Sequence, residues 1–315
     1  MVKKTKISKE LQEYTEVYSI SENTRRAYRF DWESFTKYCK YNNLQSLPAK
    51  YETIGEYLTH CADVLNLKVS TISRHLAAIV RKHRDNEYPL DTKHKYIRPA
   101  LKGIKNKKGS WQKGKKPLLT NDIKKMINSF GPADDIRSLR NKCLILIGFT
   151  GAFRRSELVN INFEDIENRI EGLIIHISKS KTDQEGKRIH EVEIPRSENI
   201  NYCPVKFYDK WIKASQINSG PIFRKINKSN NIQEKRLSDR VVALIIKETM
   251  IKSSLEPNEY AGHSLRSGFA TQAARGGADE KSIMKTTGHK SVQMVHRYIK
   301  DSRRFKNSAA KKLGL

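Results

Sequence analysis

Between residues 105 and 117 the chain reads KNKKGSWQKGKKP, a lysine- and glycine-rich stretch with no apolar periodicity that closes on a proline. Such a composition has nothing to bury and several breaks in local conformation, so it reads as a linker. The chain's 315 residues are enough for two domains of ordinary size, each with its own core. The linker sets the division: residues 1–104 form one domain, 105–117 the basic linker and 118–315 the second domain.

The first part is helical in pattern. SENT at 21–24 supplies capping residues, and Tyr28, Trp32, Phe35 and Cys39 follow at 4-3-4 spacing. Ile54, Tyr57, Leu58, Cys61 and Leu65 form a second stripe, and Ile72, Leu76, Ile79 and His83 a third. Opposite the third stripe fall Arg74 and Arg81, with Lys82 beside them. That face suits contact with phosphates or a nucleic-acid groove, and equally suits an ordinary solvated surface.

The second part mixes periods. LTNDIKKMINSF begins with capping candidates, and RNKCLILIGFTGAF is an apolar helix ending near Gly151. GLIIHISKSKTDQEGKRIHEVEIP gives two β-rich runs around a polar turn containing Gly186, the pattern of a hairpin. Helices resume at RLSDRVVALIIKETMI and continue to the C-terminus. The fold class is therefore mainly α with a small antiparallel β-sheet in the C-terminal domain.

Charge narrows the partner. The formal net charge is +27, and both halves carry it: residues 1–117 hold 25 Lys and Arg against 12 Asp and Glu. An excess spread over two domains suits a protein that grips a long polyanion, with nucleic acid the first candidate. Lysines 107, 108 and 115 of the linker are candidate phosphate contacts. Phosphate-cradling glycine motifs are absent, so nucleotide-driven chemistry has no support. Cys39, Cys61, Cys143 and Cys203 lie far apart and read as buried thiols in a reducing compartment, and no metal is expected. No apolar run is long enough to span a bilayer, which points to a cytoplasmic, nucleoid-associated protein without membrane contact.

Four segments carry residue types useful for phosphate chemistry. In TGAFRRSEL, Arg154 and Arg155 follow an apolar helix, and Glu157 is spaced to hold a guanidinium or a neighbouring histidine. In GHSLRSGFATQAARGG, His263 and Arg266 stand at i and i+3 of a helix start, with Leu265, Phe269 and Ala273 as the buried stripe. In GHKSVQMVHRYIKD, His289 precedes Tyr298 by nine residues. Val292, Val295 and Ile299 form that helix's packed face, with Tyr298 at its margin. SKSKTDQEGK places Lys179 and Lys181 at the end of the hairpin.

In this order the segments resemble the tyrosine recombinases, the phage integrase family, over nearly the whole chain. FRRSEL, a hairpin lysine, HSLRSGFAT and GHKSVQMVHRYI carry the resemblance. The simple layout resembles the Cre and Xer types, with a helical core-binding domain followed by an α+β catalytic domain. The resemblance implies that Tyr298 attacks a DNA phosphodiester to give a 3′-phosphotyrosine, while Arg154 and Arg266 clamp its non-bridging oxygens. It implies Lys181 as the acid for the leaving 5′-oxygen, with Lys179 competing, and His263 in proton transfer with the tyrosine. It also implies His289 as a hydrogen-bond partner of the phosphate and Glu157 as a supporting acid. R-x-S-E-L favours Arg154 over Arg155. The reaction implied needs no cofactor or metal, because two arginines and histidine donors meet the charge on the phosphate, and no ATP, because the phosphotyrosine keeps the energy of the cleaved bond. The implied assembly is a homotetramer on two double-stranded DNA duplexes at a specific target site, the segment after Tyr298 docking on a neighbouring subunit. A DNA-relaxing enzyme of the type IB topoisomerase kind, and a DNA-binding protein that keeps the fold without catalysis, are the alternatives.

Overall fold

A computed structural model of the chain describes residues 8, 11, 14–15, 20–109, 114–131, 135–178, 190–289, 291–302 and 313. Two compact units divide between residues 113 and 114.

In the first unit, helix α1 (Glu22–Tyr41) begins where the Ser21 hydroxyl accepts from the Thr24 amide. It buries Asp31, Phe35 and Cys39, one residue per turn. Helix α2 (Tyr51–Asp63) buries Ile54, Tyr57, Leu58 and Cys61, whereas Leu65 lies past its end and is exposed. Helix α3 (Val69–Arg84) buries Ile72, Leu76, Ile79 and His83, so all of that stripe is core. Each large apolar side chain so buried contributes about 1.5–3 kcal/mol relative to exposure. His83 sits in this core as a neutral ring: it accepts from the Ala49 amide at 2.9 Å and donates to the Ile79 carbonyl at 2.9 Å. Burial pushes its pKa down.

Helix α4 (Arg98–Lys108) extends through residues 105–108, the start of the stretch read as irregular. Lysine is a good helix former, and basic side chains in a last turn complement the helix dipole. The two terminal lysines are also tied down. Lys107 pairs with Asp63 at 2.9 Å, and Lys108 donates to the Ala62 carbonyl and the Asn66 side chain, each at 2.8 Å.

Arg74 does not simply face outward. Its guanidinium grips the buried Asp31 carboxylate with two bonds, of 2.7 and 3.0 Å. His75 Nε2 lies 3.1 Å from the same carboxylate, and its Nδ1 is 2.8 Å from the Tyr57 hydroxyl. Arg81 pairs with Asp85 at 3.3 Å, and Lys82 is exposed.

The second unit is built on helix α6 (Ile136–Thr150), preceded by α5 (Thr120–Asn128). Every residue from 142 to 149 is buried, because other elements cover α6 on all sides. The short helix α7 (Arg155–Asn160) follows. Strands β1 (Ile166–Asn168), β2 (Gly172–Ile177) and β3 (His190–Pro195) form an antiparallel sheet in the order β1-β2-β3. β2 pairs β3 from Gly172↔Pro195 to Ile177↔His190, so these runs are the expected hairpin. Leu173, Ile175, Ile177, Val192 and Ile194 give the sheet's apolar face to the main core. The end of the hairpin, with Lys179 and Lys181, lies outside the described residues.

Helix α8 (Pro204–Ser215) packs on α6. A second hairpin, β4 (Arg224–Ile226) with β5 (Ile232–Arg236), leads to α9 (Asp239–Lys252). Helix α10 (Ser264–Arg275) then packs against α6, and α11 (Glu280–Thr287) and α12 (Val292–Ser302) close over α10. Most of the segment after α12 lies outside the described residues. All four cysteines are buried thiols. Among the described residues no helix is long and apolar enough to cross a membrane.

Candidate active site

The apolar helix α6 ends at Gly151, and the chain turns sharply through Ala152, which takes a left-handed conformation with φ of 50°. This turn brings Arg154 to the head of α7 as its N-cap. Glu157, one turn on, serves Arg154 twice. Its carboxylate accepts from the Arg154 amide at 2.8 Å and from the Arg154 guanidinium. Both side chains are nearly buried, at 13% and 8% exposure, so the pair is held in one geometry.

Arg155 points elsewhere. Its guanidinium approaches Asp239 of α9 at 4.0 Å, and its side chain lies over Gly262, where a Cβ would come within 2.5 Å of Nε. Adjacent in sequence, the two arginines thus diverge, and Arg154 is the one turned toward the cluster below.

Arg266, on α10, is buried. One end of its guanidinium donates to the Ala152 carbonyl at 2.8 Å, the other to the Thr287 carbonyl. The first acceptor lies just past the end of α6 and the second is the last residue of α11. Burial, reinforced by the nearby Arg154 charge, lowers the Arg266 pKa to about 10, so the group stays cationic at neutral pH. Glu157 and Tyr298 act on it in the opposite sense. Two of its donors are committed to carbonyls out of the five a guanidinium carries.

On α10 the buried face runs through Arg266, Ala270 and Ala274, while Phe269 and Ala273 are only partly buried. Arg266 therefore occupies a core position. His263 is the helix N-cap and is exposed, so the i, i+3 pair does not share one environment. The chain entering this unit is stitched beside it: the Ser264 hydroxyl donates to the Lys116 carbonyl at 2.8 Å, and the Leu118 amide to the Ser264 carbonyl at 3.0 Å. Lys115 there donates to the Asn258 carbonyl at 2.6 Å.

Helix α11 ends in a left-handed Gly288, with φ of 61°, and releases His289. A Cβ at Gly288 would come within 2.8 Å of the His190 ring at the head of β3. That ring donates from Nε2 to the Lys285 carbonyl at 2.6 Å, so the root of the lysine hairpin is fastened to the turn that carries His289. His289 Nδ1 lies 2.7 Å from the Thr287 hydroxyl. Burial first, then Arg266 and Arg154, push the His289 pKa down to about 4, so the ring is neutral at physiological pH.

Tyr298 stands on α12, its ring centroid 6.3 Å from that of His289. Val295 is fully buried against Ala270, Ala274 and Ile283, with Tyr298 and Ile299 partly buried beside it. Val292, expected on this packed face, is instead 43% exposed, because the buried patch begins a turn later. Tyr298 thus sits at the margin of the packed face, with its ring held against the small residues of α10.

The second unit therefore gathers Arg154, Glu157, Arg266, His289 and Tyr298. Two cations against one carboxylate, beside a neutral imidazole and a phenol, make a site for a monoanion such as a phosphodiester. Three groups that hold it were missed in the sequence: Ala152, Thr287 and His190. The first acts through its backbone and leaves no side-chain signal; the others flank motifs and look like ordinary helix-end and strand residues. Among the described residues no three His, Cys, Asp or Glu side chains cluster as metal ligands.

Comparison with known proteins gives consistent matches. The model of the Phage integrase family matches residues 116–304, and that of the Phage integrase, N-terminal SAM-like domain matches residues 11–84. The chain is 39% identical over 302 residues to an integrase/recombinase xerD homolog of Selenomonas ruminantium, covering 94% of this chain and 86% of that protein. It is 23% identical over 300 residues to Recombinase cre of Escherichia phage P1, covering 90% and 85% respectively. In fold it is similar to XerH site-specific recombinase bound to a palindromic difH substrate, a post-cleavage complex. That match has a TM-score of 0.65 at 17% identity and covers 91% of this chain and 79% of that one.

Proposed function

Because the chain belongs to the phage integrase family, the tyrosine recombinases, we propose that it is a site-specific DNA recombinase that cuts and rejoins strands through Tyr298. The observation that carries this reading is the convergence of Arg154, Arg266, His289 and Tyr298 on one spot of the second unit.

The scissile phosphodiester enters between the two guanidinium groups, which bind its non-bridging oxygens. The Tyr298 oxygen attacks phosphorus, the bond to the 5′-oxygen breaks, and a 3′-phosphotyrosine forms. The phenol proton passes to His263, His289 hydrogen-bonds the phosphate, and the departing 5′-oxygen takes a proton from Lys181. Charge that builds on the equatorial oxygens in the transition state is met by fixed donors, which need no reorganisation at that moment. Attack by a 5′-hydroxyl of another strand reverses the chemistry and regenerates the phenol, so no ATP is consumed.

Lys82 and the other basic groups of the first unit supply sequence-independent attraction to the duplex. Arg74, bound to Asp31, is better placed to present a fixed donor than a mobile one. Exchange between two duplexes calls for four protomers, one per strand cut.

The test is to select binding sites from random double-stranded DNA and offer a nicked version of the selected site. A covalent adduct that survives denaturation is expected, and none with Tyr298→Phe. An adduct that persists in the Phe variant refutes the assignment of Tyr298. Relaxation of a plasmid lacking the selected site refutes site-specific exchange in favour of a topoisomerase.

A further inference from the structure

Thr287 is almost wholly buried, at 1% exposure, and stands between Arg266 and His289 without belonging to any motif that marks the site. Its hydroxyl is 2.6 Å from the Ile283 carbonyl, one helical turn back, and 2.7 Å from His289 Nδ1. A carbonyl can only accept, so the single hydroxyl proton is directed at Ile283. The second contact must then run the other way, with Nδ1–H donating to the threonine oxygen. The same residue's backbone carbonyl receives Arg266. One residue thus anchors a guanidinium through its main chain and an imidazole through its side chain.

We infer that Thr287 is a positioning residue whose hydroxyl fixes His289 as the Nδ1–H tautomer, so that Nε2 is the nitrogen offered to the reacting groups. This inference rests on the recombinase reading of the site for its catalytic consequence, though not for the tautomer itself. In the neutral ring, Nε2 carries a lone pair and accepts a proton or hydrogen bond. It donates to a phosphate oxygen only once the ring gains a second proton. The groups around the ring decide when that happens. Arg154 and Arg266 disfavour it, Glu157 favours it, and the Tyr298 ring lies beside it. A phosphodiester placed between the two arginines adds the negative charge that favours protonation, so the lock makes His289 change from acceptor to double donor when DNA arrives.

The test uses the full chain labelled with nitrogen-15 histidine, its His289 signals assigned by their loss in His289→Asn. Without DNA at pH 7.5, wild type and Thr287→Ser are expected to show a protonated Nδ1 and a bare Nε2. Thr287→Val, equal in shape but without the hydroxyl, is expected to lose that pattern. On the nicked duplex, adduct formation in the Val variant is expected to slow about tenfold, the equivalent of one lost hydrogen bond, with Ser within about twofold of wild type. DNA affinity stays the same in all three.

A wild-type ring protonated on Nε2 overturns the inference, as does a Val variant that reacts at the wild-type rate or a Ser variant as slow as Val. If wild type forms no adduct while its Nδ1 is protonated, the tautomer lock stands and the recombinase reading fails. If it forms an adduct while Nε2 carries the proton, the lock alone fails.

Discussion

Glu157 is the site residue whose removal has the most calculable consequence. Its carboxylate takes two bonds from Arg154, one from the backbone amide at 2.8 Å and one from the guanidinium. Both side chains are close to fully buried. In Glu157→Gln a single amide oxygen can serve only one of those two donors, and the other loses a charge-assisted bond worth about 2 kcal/mol. In Glu157→Ala both bonds go, the guanidinium is left unpaired in a nearly dry place, and the cost rises to about 3–5 kcal/mol. The order Ala worse than Gln worse than wild type is the first expectation. The second is that Arg154→Met combined with Glu157→Ala recovers part of the loss, because the uncompensated charge is gone. Hydrogen exchange of peptides from residues 114–302, followed through a urea series, reads the stability of the second unit apart from the first. Equal stabilities for Gln and Ala, or no recovery in the double variant, refute the account of Glu157 as the buried counter-charge.

Two further outcomes follow from the same unit. His289 has a folded pKa of about 4 against 6.5 for an unperturbed histidine, so the unfolded chain binds its proton first as pH falls. The stability this contributes is present above pH 6.5 and is lost as the pH drops toward 4; His289→Asn, measured by the same exchange method, is expected to flatten that decline. Gly268 packs so closely on the entering chain that a Cβ there would stand 1.8 Å from the Leu118 carbonyl oxygen. Gly268→Ala is expected to cost about 3 kcal/mol by prising residues 116–118 from α10, and calorimetry of the full chain checks this.

The sequence made the helical stripes legible because each is a local pattern: Ile72, Leu76, Ile79 and His83 repeat at helical spacing and are all buried. Asp31 shows where the same logic stops. It occupies the stripe position one turn before Phe35, yet it is polar, and its partner Arg74 lies 43 residues away. A pairing over that separation has no local signature, so Arg74 reads as surface until the fold brings the two together. The strands β1 and β4, three residues each, are too short to show a period of two. FRRSEL, HSLRSG and the Gly-His-to-Tyr spacing were legible because each is a compact run of side chains suited to phosphate chemistry. What orients them was not, because it is largely backbone.

Arg266 makes the point physically. Arg154 has a carboxylate partner that offsets its charge where it stands, whereas Arg266 is held by the carbonyls of Ala152 and Thr287, which satisfy its donors without a formal anion. Carbonyls at helix ends carry partial negative charge that fades within about a turn, so they stabilise the guanidinium locally. In the proposed reaction a phosphate approaching the pair meets one arginine oriented by Glu157 and one held by two main-chain carbonyls. The excess cation is fixed in the core by main-chain geometry, in the left-handed turn at Ala152 and at the end of α11 before the left-handed Gly288. The charge pattern of the site depends on both turns, because each supplies a carbonyl that holds Arg266.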